Sequence, residues 1–371
     1  MDIMRRERSI RVGAVVPLTR PGWAEAGTHL LAGLTAAVDD VNDAGGIDGR
    51  PLELLVRDTR ADPELAAAAV DELAQLGVAA LVGEYHSVVA RAVAARADAL
   101  GLPFLCSSAV LDALTDRATD WIARLAPPQS RGWRTYADFL LGAGHRRIAV
   151  AVQPSVYWAA GIGILREYVV PRGGTVIELD LPRFTSTEIC DELVEHGATA
   201  LLLLAGYPEP VVSIVKAVKA DRRLGELAIG APAGQPEFGD WAALLGEDGA
   251  GISFLRYLPA QLSALGAGVA PVLRQRLGEP PSFVAFEGYD AILVLADVLR
   301  SDDRQRIGWP AVDLEGTRGR IRFSRLPDIP VWQAVDVPIQ IVDRDPAARD
   351  RFRVLLTSRS DRAEQPADTD G

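Results

Sequence analysis

Short runs of β-branched and aliphatic residues alternate with longer segments of helical periodicity along most of this chain. The first run, residues 11–17 (RVGAVVP), precedes a segment whose apolar residues share one helix face: Leu30, Leu31, Leu34, Val38 and Val41. Further strands are predicted at 52–57, 81–83, 104–107, 148–152, 176–179, 201–204 and 228–230. This alternation is typical of βα units, which build parallel sheets with helices on both faces.

Local signals place several helix ends. Gly45 and Gly46 predict the end of the first helix, because glycine adopts the left-handed conformation that terminates helices. Asp62 and Pro63 predict an N-cap followed by proline at the first helical position, opening a helix over 64–76. Eight strands are more than one sheet usually holds in a continuous single-core domain, so we expect two doubly wound lobes. The tandem prolines within 124–129 (RLAPPQ) predict a lobe boundary.

Charge and hydropathy exclude two classes of partner. Fifty acidic against 39 basic residues leave a net charge of -11, which repels nucleic-acid phosphates and anionic membrane surfaces. We find no apolar run of about 18 residues and expect no membrane insertion. Cys106 and Cys190 match no metal or redox spacing, so we expect buried free thiols.

The first nine residues, MDIMRRERS, are charged and lead directly into an apolar strand. They leave no room for the apolar core of a secretion signal, and no cysteine nearby offers a lipidation site. We therefore expect a cytoplasmic location for the chain as written. An exported or cell-surface location remains the alternative if the true start lies upstream.

Catalytic motifs are weak throughout. Gly161 and Gly163 resemble the start of a dinucleotide loop, but Arg166 occupies the third glycine position. The SIVK sequence at 213–216 lies in an amphipathic helix without the companion motifs of penicillin-interactive enzymes. The four histidines are scattered, one per predicted element. We expect no cofactor and no metal, and an α/β enzyme is only a remote alternative.

A series of short motifs runs through most of the chain. The earlier ones are PLT at 17–19, AVDDVNDAGGIDGR at 37–50, Asp58, Asp62-Pro63, LVG at 81–83 and GLP at 101–103. The later ones are RIAV at 147–150, GYP at 206–208, GYDA at 288–291 and GTRG at 316–319. Together they closely resemble the type I periplasmic binding proteins, specifically the leucine/isoleucine/valine-binding family, over about residues 10–345.

The resemblance implies two doubly wound parallel-sheet lobes of the α/β class, joined by a three-crossover hinge and closing on a small ligand. We assign residues 9–125 and 257–325 to the N-terminal lobe and 126–256 and 326–357 to the C-terminal lobe. The polar, acidic segment 358–371 is expected to be a disordered tail.

The resemblance also implies the ligand-binding residues. Ser87 and Ser108 follow the third and fourth strands, where the family holds the polar head of its ligand, and Tyr157 and Tyr207 match tyrosines that close from the opposite lobe. Each serine could instead cap a helix, and each tyrosine could be half-buried packing. Three further residues are placed at the cleft mouth: Trp23, Tyr85 and His86. Gly27 and Gly33 are interpreted as helix-packing glycines.

Departures from the family pattern limit the ligand. The family holds the ligand ammonium with second-lobe carboxylates, whose matching positions here are Gln129 and Ala233, and we include the adjacent Gly234 in the site. Without a carboxylate a buried ammonium is costly, unless Glu84 or Glu237 supplies the charge. Val110 also replaces a usual hydroxyl residue. We therefore rank a neutral polar or amide-like ligand ahead of leucine.

Two roles stay open for such a binding protein. It could deliver a solute to the permease of an ABC importer, in the manner of branched-chain amino acid receptors. It could also be a cytoplasmic sensor of the amide-sensing type that reports to a regulatory protein. The sequence shows neither partner nor ligand.

Overall fold

A computed structural model describes residues 9–300 and 308–358 of the chain. Its strands are β1 (Ile10–Val16), β2 (Leu52–Asp58), β3 (Ala80–Gly83), β4 (Phe104–Cys106), β5 (Ile122–Arg124), β6 (Arg147–Val152), β7 (Thr175–Asp180), β8 (Ala200–Leu204), β9 (Ala228–Gly230), β10 (Phe254–Arg256), β11 (Asp313–Gly316), β12 (Gly319–Arg325), β13 (Trp332–Ala334), β14 (Ile339–Asp345) and β15 (Ala348–Ser358). Its α-helices are α1 (Ala24–Asp43), α2 (Pro63–Gln75), α3 (Ser87–Leu100), α4 (Gln129–Gly142), α5 (Val156–Val169), α6 (Ser186–Glu195), α7 (Val211–Ala220), α8 (Gly239–Leu245), α9 (Ala264–Leu277) and α10 (Phe283–Val298).

The first lobe is built on an eight-stranded sheet in the order β11-β12-β13-β5-β4-β3-β1-β2. The six strands from β13 to β2 run parallel, and β12 and β11 extend the edge antiparallel. Alternate residues of β1 face opposite layers: Val12 and Ala14 pack in the core that contains α1 and α10, whereas Val15 packs against α2 and α3. Helices therefore cover both faces of this sheet, as in doubly wound folds.

The second lobe has a four-stranded parallel sheet in the order β7-β6-β8-β9. A bridge between Gly230 and Ser253 continues it into the antiparallel sheet β10-β14-β15. The chain passes between the lobes at 125–128, 257–263 and 335–338. The predicted fold class, two parallel-sheet lobes joined by three crossovers, is confirmed.

The strand pairing differs from the predicted lobe division at one place. We assigned residues from 326 onward to the C-terminal lobe, but β13 pairs parallel with β5, so Trp332–Ala334 belongs to the first sheet. The reason is that the loop after β12 returns to the same sheet before the chain crosses. At the C-terminus, Ser358 ends β15, and the rest of the predicted disordered tail, 359–371, lies outside the described residues.

The predicted helix ends are also confirmed. The Asp62 side chain accepts hydrogen bonds from the Glu64 and Leu65 amides at 2.8 and 3.0 Å, and Pro63 begins α2. Gly45 and Gly46, which follow the C-cap residue Ala44 of α1, have φ angles of 100° and 77°. In the part of the chain that the structure describes, no helix is long and apolar enough to cross a membrane.

Candidate ligand-binding cleft

A cavity of about 100 Å³ lies between the lobes, at the carboxyl ends of the parallel strands. The cavity is lined from the first lobe by Trp23, Tyr85, His86, Ser87, Ser108, Val110 and Phe283. The other lining residues are Tyr157, Trp158, Pro232, Ala233, Leu255 and Tyr257. The carboxyl edge of a parallel sheet is where open α/β folds bind their ligands, because loops from several strands converge there. The cavity has room for a small molecule rather than for a polymer.

A buried glutamate organises the loop between β3 and α3. Glu84 is fully buried, and its Oε1 accepts hydrogen bonds from the Tyr85 and His86 amides at 2.9 and 3.0 Å. Its Oε2 accepts the Thr59 hydroxyl at 2.7 Å. These bonds satisfy the carboxylate inside the loop, and Glu84 does not line the cavity. It therefore presents Tyr85, His86 and Ser87 without itself facing the ligand space.

Ser87 is the first residue of α3 rather than its cap. The N-cap position is held by His86, which makes no side-chain capping bond. The Ser87 Oγ accepts hydrogen bonds from the Val110 and Leu111 amides, both at 3.2 Å. The capping alternative is therefore wrong for Ser87, whose hydroxyl joins the β3–α3 turn to the β4–β5 loop.

His86 and Ser87 are neighbours in the cavity wall, but their hydrogen bonds do not form a nucleophile–base pair. The Trp23 amide donates to His86 Nε2 at 3.3 Å. In the neutral ring, Nδ1 then carries the proton and donates to Glu84 Oε1, also at 3.3 Å. Both ring nitrogens are thus occupied, and the serine oxygen is held by two backbone amides.

Aromatic rings form most of the cavity wall. Trp23 packs against Tyr85 with ring centroids 5.4 Å apart, and Tyr157 packs against Trp158 at 4.7 Å. Burial raises the pKa of Tyr85 well above its ordinary value, so its hydroxyl stays neutral and donates to the Ala233 carbonyl at 3.3 Å. The wall is therefore largely apolar, with few polar groups to orient a ligand.

Three predicted site residues do not line this cavity. Tyr207 lies at a neighbouring hollow that shares Trp23, and its ring stacks on Trp241 at 5.7 Å. Gln129 is fully buried and donates to the Tyr157 carbonyl at 3.1 Å. Gly234 has a φ of 89° and lies in the turn that follows the cavity residue Ala233.

Glu237, the second carboxylate considered as a partner for the ligand ammonium, is also bonded within the protein. Glu237 is buried and pairs with Arg256 at 3.1 Å, and its Oε1 accepts the Phe283 amide at 3.3 Å. Burial raises the pKa of Glu237, while Arg256 opposes that shift. Glu237 does not line the cavity, so neither Glu84 nor Glu237 offers a free carboxylate to a ligand.

Contacts across the cleft hold the lobes together. Besides the bond from Tyr85 to Ala233, Arg20 pairs with Asp240 at 3.0 Å and Glu25 Oε1 accepts the Gly239 amide at 2.7 Å. Each joins a first-lobe residue to the segment around α8 of the second lobe. The described conformation is therefore a closed one.

Sequence reasoning missed several cavity residues: Trp158, Pro232, Leu255, Tyr257 and Phe283. Leu255 and Phe283 belong to apolar runs that are indistinguishable from core in the sequence. Trp158 had the better signal, because it adjoins the predicted Tyr157 in the first turn of α5.

Two parallel-sheet lobes, joined by three crossovers and enclosing an aromatic cavity, define a two-lobed binding protein. Residues 9–308 match the family model described as periplasmic binding protein. The chain belongs to the periplasmic binding protein family, and the predicted family resemblance is confirmed.

The chain is also similar to individual proteins. Leu/Ile/Val-binding protein homolog 8 of Brucella abortus (strain 2308) is 25% identical over 223 residues, 57% of this chain and 55% of the relative. The chain thus spans about half the length of the curated relatives it matches.

Solved structures match over nearly the whole chain. The leucine binding protein LivK of Thermotoga maritima MSB8 has a TM-score of 0.81 at 19% identity, covering 95% of this chain and 99% of that one. An ABC-transporter solute binding protein of Rhodopseudomonas palustris BisB5, in complex with 3,4-dihydroxybenzoic acid, has a TM-score of 0.79 at 18% identity, covering 95% and 98%. At identities of 18 and 19%, this structural similarity establishes the fold alone.

Proposed function

We propose that this chain is a non-catalytic receptor that closes its two lobes on one small polar ligand. The observation that carries the proposal is the cavity lined from both lobes and bordered by direct contacts between them. Such contacts exist only when the lobes meet, so a ligand that adds to them shifts the population toward the closed form.

Six predicted residues are proposed as ligand contacts because they line the cavity: Trp23, Tyr85, His86, Ser87, Ser108 and Tyr157. Ala233 supports a neutral or amide-like ligand, since it faces the cavity where the family pattern has a carboxylate. The carboxylates of Glu84 and Glu237 are already bonded within the protein, which also supports ranking a neutral ligand ahead of leucine. A free α-amino acid would need its ammonium matched elsewhere, because a buried unpaired charge is costly.

The hydrogen bonds of His86 support a binding role over an enzymatic one. A general base must accept the proton of its nucleophile, and the Nε2 of His86 is already bonded to the Trp23 amide. The α/β-enzyme alternative would be supported if a ligand that stabilises the protein were recovered chemically changed after incubation.

The test is a thermal-shift screen of amino acids, short amides, urea and aromatic acids. A ligand at a hundred times its Kd adds about 2.7 kcal/mol to the stability of the folded state. We expect one of these classes to raise the Tm of the wild-type protein. If none does, the proposed binding function is wrong.

Two variants test the position of the proposed site. We expect Ser87→Ala and Tyr157→Ala to abolish the ligand-induced shift and to leave the fold intact by circular dichroism. Tyr168→Ala is the matched control for Tyr157, because Tyr168 lies on the same helix but does not line the cavity. Equal shifts in Ser87→Ala, Tyr157→Ala and the parent would mean that the ligand binds elsewhere.

The partner belongs to the same proposal. Delivery to an ABC importer is supported by relatives that are described as transporter binding proteins. Reporting to a regulatory protein is the alternative. Cell fractionation separates the two, because an importer receptor must meet its permease outside the cytoplasm whereas a sensor of the amide-sensing type stays within it.

A further inference from the structure

The loop between β4 and β5 of the first lobe caps a helix of the second lobe. The first amides of a helix have no partner within it, and Pro128, the N-cap residue of α4, makes no side-chain capping bond. Two first-lobe acceptors take its place. The Val110 carbonyl accepts the Gln129 amide at 2.6 Å, and the Asp112 carboxylate accepts the Ser130 amide at 3.0 Å. Because α4 begins directly after the first crossover, these bonds join the lobes at the hinge.

The Val110 carbonyl is also held from the first-lobe side. It accepts the Nη1 of Arg124 at 3.1 Å, and the Nε of Arg124 donates to Gln333 at 2.8 Å. Gln333 in turn donates to the carbonyl of Ala126, in the first crossover, at 2.7 Å. The side chains of Arg124 and Gln333 are buried, so water does not compete for these bonds. The Gln129 amide is therefore bonded to a fixed point of the first lobe.

The side chain of Gln129 bonds to the opposite wall of the cavity. Gln129 is fully buried, and its Nε2 donates to the Tyr157 carbonyl at 3.1 Å. Val110 lines the cavity from the first lobe and Tyr157 from the second, whereas Gln129 does not line it. Gln129 thus bonds to a cavity residue of each lobe, to Val110 through its main chain and to Tyr157 through its side chain.

The Gln129 side chain keeps this bond at a cost in stability. Its Oε1 is buried and has no hydrogen-bond partner within the described chain. An unpaired buried acceptor is destabilising, and an apolar side chain of the same size would avoid the cost. The opposite orientation of the amide would place Oε1 against the Tyr157 carbonyl, with two acceptors facing each other. Among the described residues, the bond to Tyr157 is therefore the one polar contact that this side chain makes.

We propose that Gln129 is a positioning residue of the cleft. It fixes the distance between Val110 and Tyr157 at the hinge end of the cavity, and it acts through Tyr157 rather than by contact with the ligand. The residue that sequence analysis placed among the ligand contacts thus serves the site indirectly. This inference rests on the proposed binding function, to which it adds the residue that holds Tyr157 in place.

The first test is Gln129→Met, which replaces the amide by an apolar side chain of similar size and keeps the main-chain bond to Val110. The probes are benzamide, benzoate and leucine, and the one that raises the wild-type Tm most is titrated by calorimetry. We expect the Kd to rise about fivefold or more, the effect of one hydrogen bond. Melting curves without a probe establish that the variant is folded.

Gln340→Met is the matched control. Gln340 of β14 is also buried, its Nε2 has no hydrogen-bond partner in the part of the chain that the structure describes, and it does not line the cavity. We expect this variant to bind the probe as the wild type does. An equal loss of affinity in Gln129→Met and Gln340→Met would reflect the removal of any buried amide and would contradict the positioning role.

Gln129→Glu provides a second measurement, because a carboxyl group donates a hydrogen bond to the Tyr157 carbonyl only while it is protonated. Burial favours the neutral form, and the charged groups bonded to its neighbours, Arg124 and Asp112, have opposite sign. The ratio of the variant Kd to the wild-type Kd at the same pH should therefore be near one at pH 5. It should rise to about fivefold or more at pH 8.

The outcomes separate this inference from the proposed function. If Gln129→Met binds the probe as tightly as the wild type, the inference is wrong and the binding function stands. The same holds if Gln129→Glu gives one Kd ratio at pH 5 and pH 8, because loss of the donor would then have no effect. If no probe raises the wild-type Tm, both fail.

Discussion

Gly33 shows how a single residue sets the distance between two helices of the first lobe. A Cβ added at Gly33 of α1 would lie 1.9 Å from the Ala285 carbonyl oxygen of α10, and one added at Gly288 would lie 2.5 Å from the Leu30 carbonyl oxygen. Only residues without a side chain allow the two backbones to approach this closely. The interpretation of Gly33 as a packing residue is thereby confirmed.

We expect Gly33→Ala to destabilise the protein by about 1–3 kcal/mol or more, because the methyl group overpacks a buried backbone contact. Gly163→Ala is the matched control: Gly163 also lies within a helix, and a Cβ there meets nothing within 4 Å. That variant should be neutral or more stable by about 0.5–1 kcal/mol, since alanine favours helix. Urea unfolding measures both, and equal stabilities would contradict the packing argument.

The cavity serines illustrate chemistry that residue type alone does not reveal. Ser87 and Ser108 are both serines that follow neighbouring strands, yet the Ser87 hydroxyl accepts hydrogen bonds from two backbone amides and the Ser108 hydroxyl donates to Ser107. The difference arises because the backbone of the β4–β5 loop, 23 and 24 residues further along the chain, reaches Ser87. Residue type therefore does not show which hydrogen bonds each hydroxyl makes.

At the scale of elements, α2 depends on the cap that its sequence predicts. The Asp62 carboxylate satisfies two amides of the first turn that have no partner within the helix. We expect Asp62→Ala to lower the free energy of unfolding by about 1 kcal/mol. Asp43→Ala, at the last residue of α1, is the control and should be neutral or slightly stabilising, because a negative charge is unfavourable at a helix C-terminus. A loss in Asp43→Ala equal to that in Asp62→Ala would contradict the capping role.

The strands that sequence analysis missed fall into two groups. β5, β10 and β13 are three residues long, and at this length, which the predicted β4 and β9 share, periodicity does not decide whether a strand forms. The others, β11, β12, β14 and β15, pair antiparallel at the edge of the first sheet or in the three-stranded sheet. Their formation depends on the neighbour strand that the fold supplies rather than on a βα pattern.

At the scale of the whole molecule, the closed form includes a carboxyl whose ionisation opposes closure. Glu25 of α1 accepts the Gly239 amide of α8, and burial, Asp240 and Glu279 raise its pKa from 4.5 to about 7. When the lobes separate, we expect Glu25 to return to water and to its ordinary pKa. The closed form then holds a proton that the open form releases between pH 4.5 and 7.

The stability of the closed form relative to the open form should therefore fall as the pH rises through this window. Above about pH 7 it should stay constant. Small-angle X-ray scattering should give a larger radius of gyration for the unliganded wild type at pH 8 than at pH 5. Glu25→Gln should remove most of the change, whereas the exposed Glu64→Gln should behave as the wild type. A wild-type radius that does not change with pH, or a Glu25→Gln profile identical to it, would show that Glu25 does not control the lobes.

The amino-acid sequence alone determined the α/β class, the two lobes and the sheet edge at which the cavity lies. Alternating strand and helix patterns carry that information locally, and parallel strands place their carboxyl ends on one edge, which brings Ser87 and Ser108 to the same cavity. The family resemblance added Tyr157, and position near the cleft mouth added Trp23, Tyr85 and His86; all four line the same cavity.

Only the tertiary structure decided which apolar and charged residues complete the site. Leu255 and Phe283 carry the same hydrophobic signal as any core residue, and the crossovers alone bring them to the cleft. Tyr207 follows its strand as Tyr157 does, yet stacking on Trp241 places it in the neighbouring hollow. Glu287 and Asp290 share the buried Arg318 only in the folded chain, because the electrostatics of a buried group depend on distances in space and not in sequence.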